Sequence, residues 1–269
     1  MTERGRTASG IDTTTPNVAR IYDYLLGGKD SFAADREAAR QLIAAIPDVA
    51  AIARDNRSFL GRAVRYLAGP AGIRQFLDLG GGLPTQANVH ELAQGVAPGV
   101  RVAYVDNDPV VASHGQALLA SRDRVVMALA DLRDPVSVWR HPDVAGLLDW
   151  TQPIAVLCTS TLHFVPDEDE PHKIIAEYRD HMAPGSYLAI THGTMEEDPA
   201  GERDKAAWVY RQASSQLHVR SLADVRRFFG SLELVEPGLV WITEWRPEPG
   251  AAPTGRAQSM RGGVGRKLP

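Results

Sequence analysis

The chain has 269 residues, 44% of them hydrophobic and 23% charged, with a formal net charge of -4. These values suit one large α/β domain with additions, and they lack the basic footprint of a protein that grips nucleic acid. The lone cysteine, Cys158, gives no disulfide framework and no cysteine-rich zinc site within one chain, and no apolar run approaches the ~20 residues of a membrane span.

Residues 1–15 are small and polar and read as disordered. The opening MTERGRTASGIDTTTP has no apolar h-region, so a soluble, cytoplasmic protein is expected. Residues 16–70 read as a helical cap, with helical apolar spacing over 36–46 and 57–68. Ahead of those helices, Tyr22, Asp23, Tyr24, Gly27, Gly28, Lys29 and Asp30 crowd aromatics, glycines and charges together. Two adjacent glycines take roughly 2 kcal/mol from a helix, so residues 16–35 are expected to form a hinged lid over a ligand. Tyr24 would then stack near the ligand and Gly27 would let the backbone approach it. The competing reading is a structural cap on the sheet.

Residues 71–247 read as the main domain, in which strand-like runs alternate with helices. IRQFLDLG (73–80) is a buried strand ending in glycines. RVAYVD (101–106), RVVMALAD (124–131), PIAVLCTS (153–160) and GSYLAITH (185–192) are further strands. Helices are predicted at 109–121, where Pro109 suits the first turn, at 167–182 and at 221–230, with Trp208 and Tyr210 on another after the fifth strand. LELVEPGLVWITEW (232–245) reads as two strands broken at Pro237-Gly238. Residues 248–269, rich in Gly and basic residues, read as a flexible tail. The alternation predicts a mainly parallel, seven-stranded sheet covered on both faces and ending in an antiparallel hairpin.

The strongest local signal is Asp78-Leu79-Gly80-Gly81-Gly82-Leu83-Pro84-Thr85, a strand running into glycines and then a helix-compatible stretch. In open α/β sheets ligands bind beyond the carboxyl ends of strands, where glycines allow close backbone approach. A dinucleotide fingerprint would put its third glycine at Thr85, whereas Asp78-x-Gly80-x-Gly82 is a methyltransferase pattern. Asp106 ends the next strand, placed to accept from a ribose diol at about the ~20-residue spacing that geometry requires. Asp108-Pro109 reads as a helix cap and first residue. Asp131 ends the third strand, where a carboxylate can accept from an adenine amine or simply form a turn.

These residues resemble the class I S-adenosylmethionine (SAM)-dependent methyltransferases. More narrowly, Pro16-Asn17-Val18-Ala19-Arg20-Ile21-Tyr22-Asp23-Tyr24-Leu25-Leu26-Gly27-Gly28-Lys29-Asp30, Arg54-Asp55-Asn56-Arg57-Ser58-Phe59-Leu60 and Leu162-His163-Phe164-Val165-Pro166-Asp167 resemble a family of S-adenosyl methyltransferases of unassigned substrate. The resemblance implies a Rossmann-like fold with SAM as cofactor. The expected cofactor set is Tyr24, Gly27, Asp78, Gly80, Gly81, Gly82, Thr85, Asp106, Asn107, Asp131, Leu132 and Ser160, without metal ligands. His163, just past the fourth strand, is the candidate base, and its alternative is a bond to a backbone carbonyl. His192 is a second candidate. Thr159-Ser160-Thr161-Leu162-His163 stands where many enzymes acting on nucleobase amines carry N/D-P-P-Y/F. A small-molecule acceptor is therefore expected, with no nucleic acid and no membrane partner. Trp208 and Tyr210 are either core aromatics or acceptor-pocket walls. The alternatives are a non-catalytic SAM-binding protein and an NAD(P)-dependent oxidoreductase.

Overall fold

The computed structural model describes residues 12–84, 88–119, 122, 124–194, 201–248, 250 and 259–269; of the residues 1–15 expected to be disordered, 1–11 lie outside them, whereas 12–15 are bonded into the fold, with the carbonyls of Asp12 and Thr15 accepting from Arg20. Three helices come first: α1 (Val18–Leu25), α2 (Ala33–Ala45) and α3 (Val49–Ala68). The alternation that follows is β1 (Gln75–Leu79), α4 (Val89–Val96), β2 (Arg101–Asp106), α5 (Pro109–Leu119) and β3 (Val125–Leu129). It continues with α6 (Pro135–Arg140), α7 (Pro142–Leu147), β4 (Ala155–Thr159), α8 (Pro171–His181) and β5 (Tyr187–Gly193). The last elements are α9 (Glu202–Tyr210), α10 (Leu222–Arg227), β6 (Glu233–Leu234), β7 (Val240–Trp241) and β8 (Met260–Arg266). No helix among the described residues is long and apolar enough to cross a membrane.

The sheet order is β3-β2-β1-β4-β5-β8-β6, with β7 also pairing β8. The first five of these strands are parallel, and β8 runs antiparallel to β5, β6 and β7. Strand periodicity sorts the side chains into two cores. Phe76, Val102 and Tyr104 pack on the side of α3, α4 and α5. Leu77, Leu79, Ala103 and Val105 pack on the side of α6, α7, α8 and the Phe228-Phe229 pair that follows α10. Helices α6 and α7 are absent from the sequence reading. Each is only six residues long and opens with a proline at its first turn, too short for apolar periodicity to register.

Two expectations are corrected at the end of the chain. The sheet ends in antiparallel strands as expected, but among the described residues it has eight strands, and β6 and β7 each pair with β8 and not with each other. The segment read as a flexible tail supplies that strand. Its glycines answer to packing: a Cβ on Gly262 would lie 2.8 Å from a ring carbon of Phe59, and one on Gly265 would lie 2.8 Å from Phe229. Those rings belong to opposite cores, so β8 is squeezed from both faces. Two of its basic residues are engaged too. Arg261 lies 3.4 Å above the Trp241 ring, and Lys267 Nζ donates to the carbonyls of Arg179, Asp180 and Met182 where α8 ends.

A third cluster, of α1, α2 and α9, lies over the carboxyl ends of the parallel strands. It is fastened by a buried ion pair. Arg20 Nε donates to Asp35 Oδ2 at 2.8 Å, with the two side chains 4% and 0% exposed. Arg20 Nη2 donates to the carbonyls of Asp12 and Thr15, and Asp35 also accepts from the amides of Asn17 and Phe32. Gly27-Gly28 terminates α1. Gly27 N bonds Tyr24 O and Gly28 N bonds Asp23 O, with Gly27 at φ 85, which is a Schellman cap.

Two measurements check this architecture. Gly262→Val should lower the unfolding free energy by ~1–3 kcal/mol through overpacking, whereas Gly99→Val, with nothing within 4 Å of its Cβ, should stay within ~0.5 kcal/mol. Equal effects in urea unfolding would show that β8 is not confined as described. Arg20→Met should lose ~3–5 kcal/mol by stranding the Asp35 carboxylate, with much of the loss recovered in the Arg20→Met/Asp35→Leu pair. Additive losses in that double variant would show that the two groups do not act as one unit.

Candidate functional site

A cavity of about 610 Å³ opens at the carboxyl ends of β1 to β4 and is roofed by α1. Connections leave β1 and β4 in opposite directions along the sheet, the switch point at which open α/β sheets form ligand crevices.

The chain leaves β1 through Gly80 at φ 72 and Gly82 at φ 64. At Gly80 the need for glycine is double, because a Cβ there would also lie 2.4 Å from Thr161 in the loop after β4. The amides of Gly80 and Gly81 both bond Val105 O. Gly82 N donates to Asp106 Oδ2 at 3.0 Å, and Asp108 N donates to Asp106 Oδ1 at 2.9 Å. Burial raises the pKa of Asp106 to about 6 against those backbone bonds. Full burial raises Asp78 to about 7, with Arg57 opposing the rise and Asp106 adding to it. Two carboxylates thus stand poorly solvated at adjacent strand ends.

Asp108 serves as the expected cap, its Oδ1 accepting from Val110 N at 2.7 Å, while its Oδ2 lies 3.6 Å from Arg20 Nη1. Asp131 forms a turn and ion pair with Arg133, taking its backbone amide at 2.9 Å and its guanidinium at 2.6 Å. Arg133 also reaches Asp169 at 2.9 Å. The carbonyl of Leu132 accepts from the Tyr178 hydroxyl.

Ser160, at the end of β4, has φ 55, an uncommon conformation for a non-glycine residue. A hydrogen-bonded chain holds it there. Ser160 N donates to Thr191 Oγ1 at 2.8 Å, and the Thr191 hydroxyl donates to Asn56 Oδ1 at 2.7 Å. Asn56 Nδ2 donates to the Tyr22 hydroxyl at 2.9 Å, which donates in turn to Ala53 O. The roof helix, α3 and the ends of β4 and β5 are therefore one bonded unit.

His163 is buried in the cavity wall, and its Nδ1 has no partner. Burial pushes its pKa well below the ordinary imidazole value, with His192 and Arg220 adding to the effect. His192 has both nitrogens committed: Nδ1 meets Gly193 O at 2.6 Å and Nε2 meets Arg220 Nη1 at 3.1 Å. It is held neutral as an orienting group. Arg220 also donates to Leu162 O, Val165 O and Asp167, which pins the loop that carries His163.

Asp78, Gly80, Gly81, Gly82, Asp106, Asn107, Asp131, Leu132, Ser160 and His163 share this cavity. Thr85 lies outside the described residues. Tyr24 and Gly27 are not in the wall. Tyr24 packs in the third apolar cluster, and Gly27 is the helix cap. The α1 aromatic that faces the cavity is Tyr22, two positions away and thus on another side of the helix. Of the two aromatics on α9, Tyr210 lines the cavity and Trp208 is half exposed. Asn56 and Arg57 are wall residues absent from the expected set. The segment from Arg54 to Leu60, which carried part of the resemblance, was the signal for them.

Comparison with known proteins agrees with this geometry. Residues 4–268 match the family described as S-adenosyl methyltransferase. A candidate methyltransferase from Thermobifida fusca YX is 42% identical, with a TM-score of 0.91 covering 97% of this chain and 98% of its own. A DUF574 family protein from Streptomyces avermitilis is 42% identical, with a TM-score of 0.90 covering 95% and 98%. Human N-acetylserotonin methyltransferase, solved with SAM, is 13% identical with a TM-score of 0.50, covers 94% of this chain and 63% of its own, and shares the fold alone. No curated protein matches the chain.

The buried carboxylates make stability depend on pH. The folded pKa of Asp78, about 7, lies above its ordinary 3.8. Its contribution is therefore fully present below that ordinary value and is lost as pH rises through about 7. Asp78→Asn should raise the melting temperature of the ligand-free protein more at pH 8 than at pH 5. Parallel curves for parent and variant would show that Asp78 is well solvated.

Proposed function

The chain belongs to the S-adenosyl methyltransferase family, and we propose that its cavity holds SAM along the ends of β1, β2 and β3 and transfers the methyl group to a small molecule. SAM as cofactor and methyl transfer as the reaction follow from the family; the residue assignments and the acceptor class are our reading.

The residues present suit this ligand. Asp106 carries it best: a buried carboxylate at the end of β2, bonded to the glycine loop itself, with lone pairs left for a ribose diol. Gly80, Gly81 and Gly82 lie where a methionine moiety needs close backbone approach. Arg57 and Asp78, of opposite charge in the same wall, suit its carboxylate and ammonium. Asn107 and Leu132 would border the adenine. Asp131 would reach the adenine amine only with lone pairs that Arg133 leaves unused.

Bound SAM supplies an electrophilic methyl group on a sulfonium. The protein's part is to align a nucleophile and exclude water. Helix α1 does the second by closing the cavity from above, held down by Arg20 and by the Tyr22–Asn56 bond. His163, neutral because it is buried, is our candidate for receiving a proton. A small acceptor is favoured because the roof leaves a cavity of about 610 Å³, within the range of small-molecule sites.

Titration calorimetry with SAM tests the assignment. Asp106→Asn should weaken binding by ~10- to 100-fold, the equivalent of roughly 1.5–3 kcal/mol for a hydrogen bond to a charged group. Unchanged SAM affinity in that variant, or tight binding of NAD by the parent, would overturn it.

A further inference from the structure

The strand order turns the cavity into a linear scale. From β3 to β1 the wall presents Asp131, Asp106 and the glycine loop, the stretch assigned above to the cofactor, and the remainder lies beside the end of β4 beneath α1. That remainder differs in character. Leu25, Val49 and Ile52 come from the helices, and Phe164 and Tyr210 stand with ring centroids 5.1 Å apart at 64°. The ring of His163 lies 4.6 Å from that of Phe164.

The charges of the wall lie elsewhere. Asp106, Asp108, Asp131 and Arg133 belong to the ends of β2 and β3, and Asp12 is bonded to Thr14 and Thr15 ahead of α1. Arg20 is held by Asp35, and Arg57 and Asp78 offset one another beside β1. The Tyr22 hydroxyl is occupied by Asn56 and Ala53 O. Among the described wall residues two buried polar atoms lack a hydrogen-bond partner: Asp108 Oδ2, which lies 3.6 Å from Arg20 Nη1, and His163 Nδ1, on a residue only 7% exposed. The His163 ring itself borders the cavity beside Phe164, so a hydroxyl-bearing ligand seated against that ring would meet the imidazole. A charged acceptor would leave water for a stretch of wall whose side chains offer no countercharge, and only the sulfonium of SAM would stand against an anion there.

We propose that the acceptor is an uncharged aromatic compound bearing a hydroxyl group, seated against Phe164 and Tyr210 with that hydroxyl directed to His163. This rests on the SAM site proposed above. In the reaction the hydroxyl oxygen forms the new bond to the methyl carbon, and the carbon–sulfur bond breaks with its electron pair left on sulfur. The hydroxyl proton passes to the imidazole, which releases it to water after the products leave. A methylated hydroxyl that still carries its proton is far more acidic than an imidazolium, so a weakly basic, buried imidazole is sufficient.

Three naphthalenes separate the possibilities: 2-naphthol, the anionic 2-naphthoate and the cationic 2-(aminomethyl)naphthalene. Their binding is read by quenching of intrinsic fluorescence with S-adenosylhomocysteine present. The naphthol should bind at least ~10-fold more tightly than either ion, because neither ion finds a countercharge. Phe164→Ala and, separately, Tyr210→Leu should each weaken it by ~10-fold through lost ring contact, with retained S-adenosylhomocysteine affinity as the check on folding. With SAM, the parent should yield the methyl naphthyl ether, and His163→Gln should slow its formation by ~100-fold while holding the naphthol nearly as well. An ion that binds as tightly as the naphthol, or naphthol affinity indifferent to both ring variants, would overturn the proposal. So would an ether-forming rate unchanged in His163→Gln. If S-adenosylhomocysteine binds and the naphthol does not, the acceptor assignment fails alone; if S-adenosylhomocysteine does not bind, the cofactor site fails with it.

Discussion

A guanidinium and a carboxylate, both almost wholly out of water, hold the roof of this protein in place. A buried ion pair stabilises a fold only when its remaining donors and acceptors are also satisfied, and here they nearly all are. Arg20 serves Asp35 and two carbonyls of the preceding segment, and Asp35 serves two amides besides. The pair sets the pitch of α1 over the sheet. With α1 so placed, Tyr22 reaches Asn56, Asn56 reaches Thr191, and Thr191 holds the amide of Ser160. A strained backbone position at the end of β4 is therefore stabilised from the far side of the cavity. Roof and floor are parts of one polar network.

The floor is arranged on the opposite electrostatic principle. Asp78 and Asp106 are buried near each other, and their raised pKa values record how poorly the empty fold solvates two negative charges. A fold does not gain stability from such an arrangement. It gains a place where a positively charged ligand is worth more than it would be in water. The residues beside the end of β4 carry no comparable excess, and the cavity grades from acidic at one end to apolar at the other, following the order of the strands in the sheet.

What the sequence disclosed was what local pattern encodes. A short apolar run that meets glycines reads as a strand entering a tight turn, and Gly80, Gly82 and Asp106 were legible on that ground. The strand–helix alternation was legible too, since apolar period distinguishes the two. Other features depend on partners remote in sequence. Tyr22 and Tyr24 have the same composition and neighbourhood, and only the docking of α1 decides which of them faces the cavity. Asn56 and Arg57 sit in a helix where polar residues ordinarily mark a solvated face. The glycines at 27 and 28 suggested a hinge, yet they close a helix. Strand β8 was obscured most completely, because the small residues its crowded position demands are those that otherwise signal flexible chain.

The placement of β8 bears on how the protein folds. Its neighbour β5 lies far back in the sequence, so the central antiparallel pairing closes a long loop, an arrangement that slows folding. Until β8 docks, β5 presents one open edge, and most of its residues are apolar and destined for burial. An unpaired apolar edge is a template for the wrong strand, including the same strand of another molecule. Glycine-rich β8 has little apolar surface with which to reach that edge early, and it must be captured chiefly by backbone hydrogen bonds once Phe59 and Phe229 have shaped the slot. The slot that β8 fills is thus defined by both helical layers, with Phe59 on one face and Phe229 on the other.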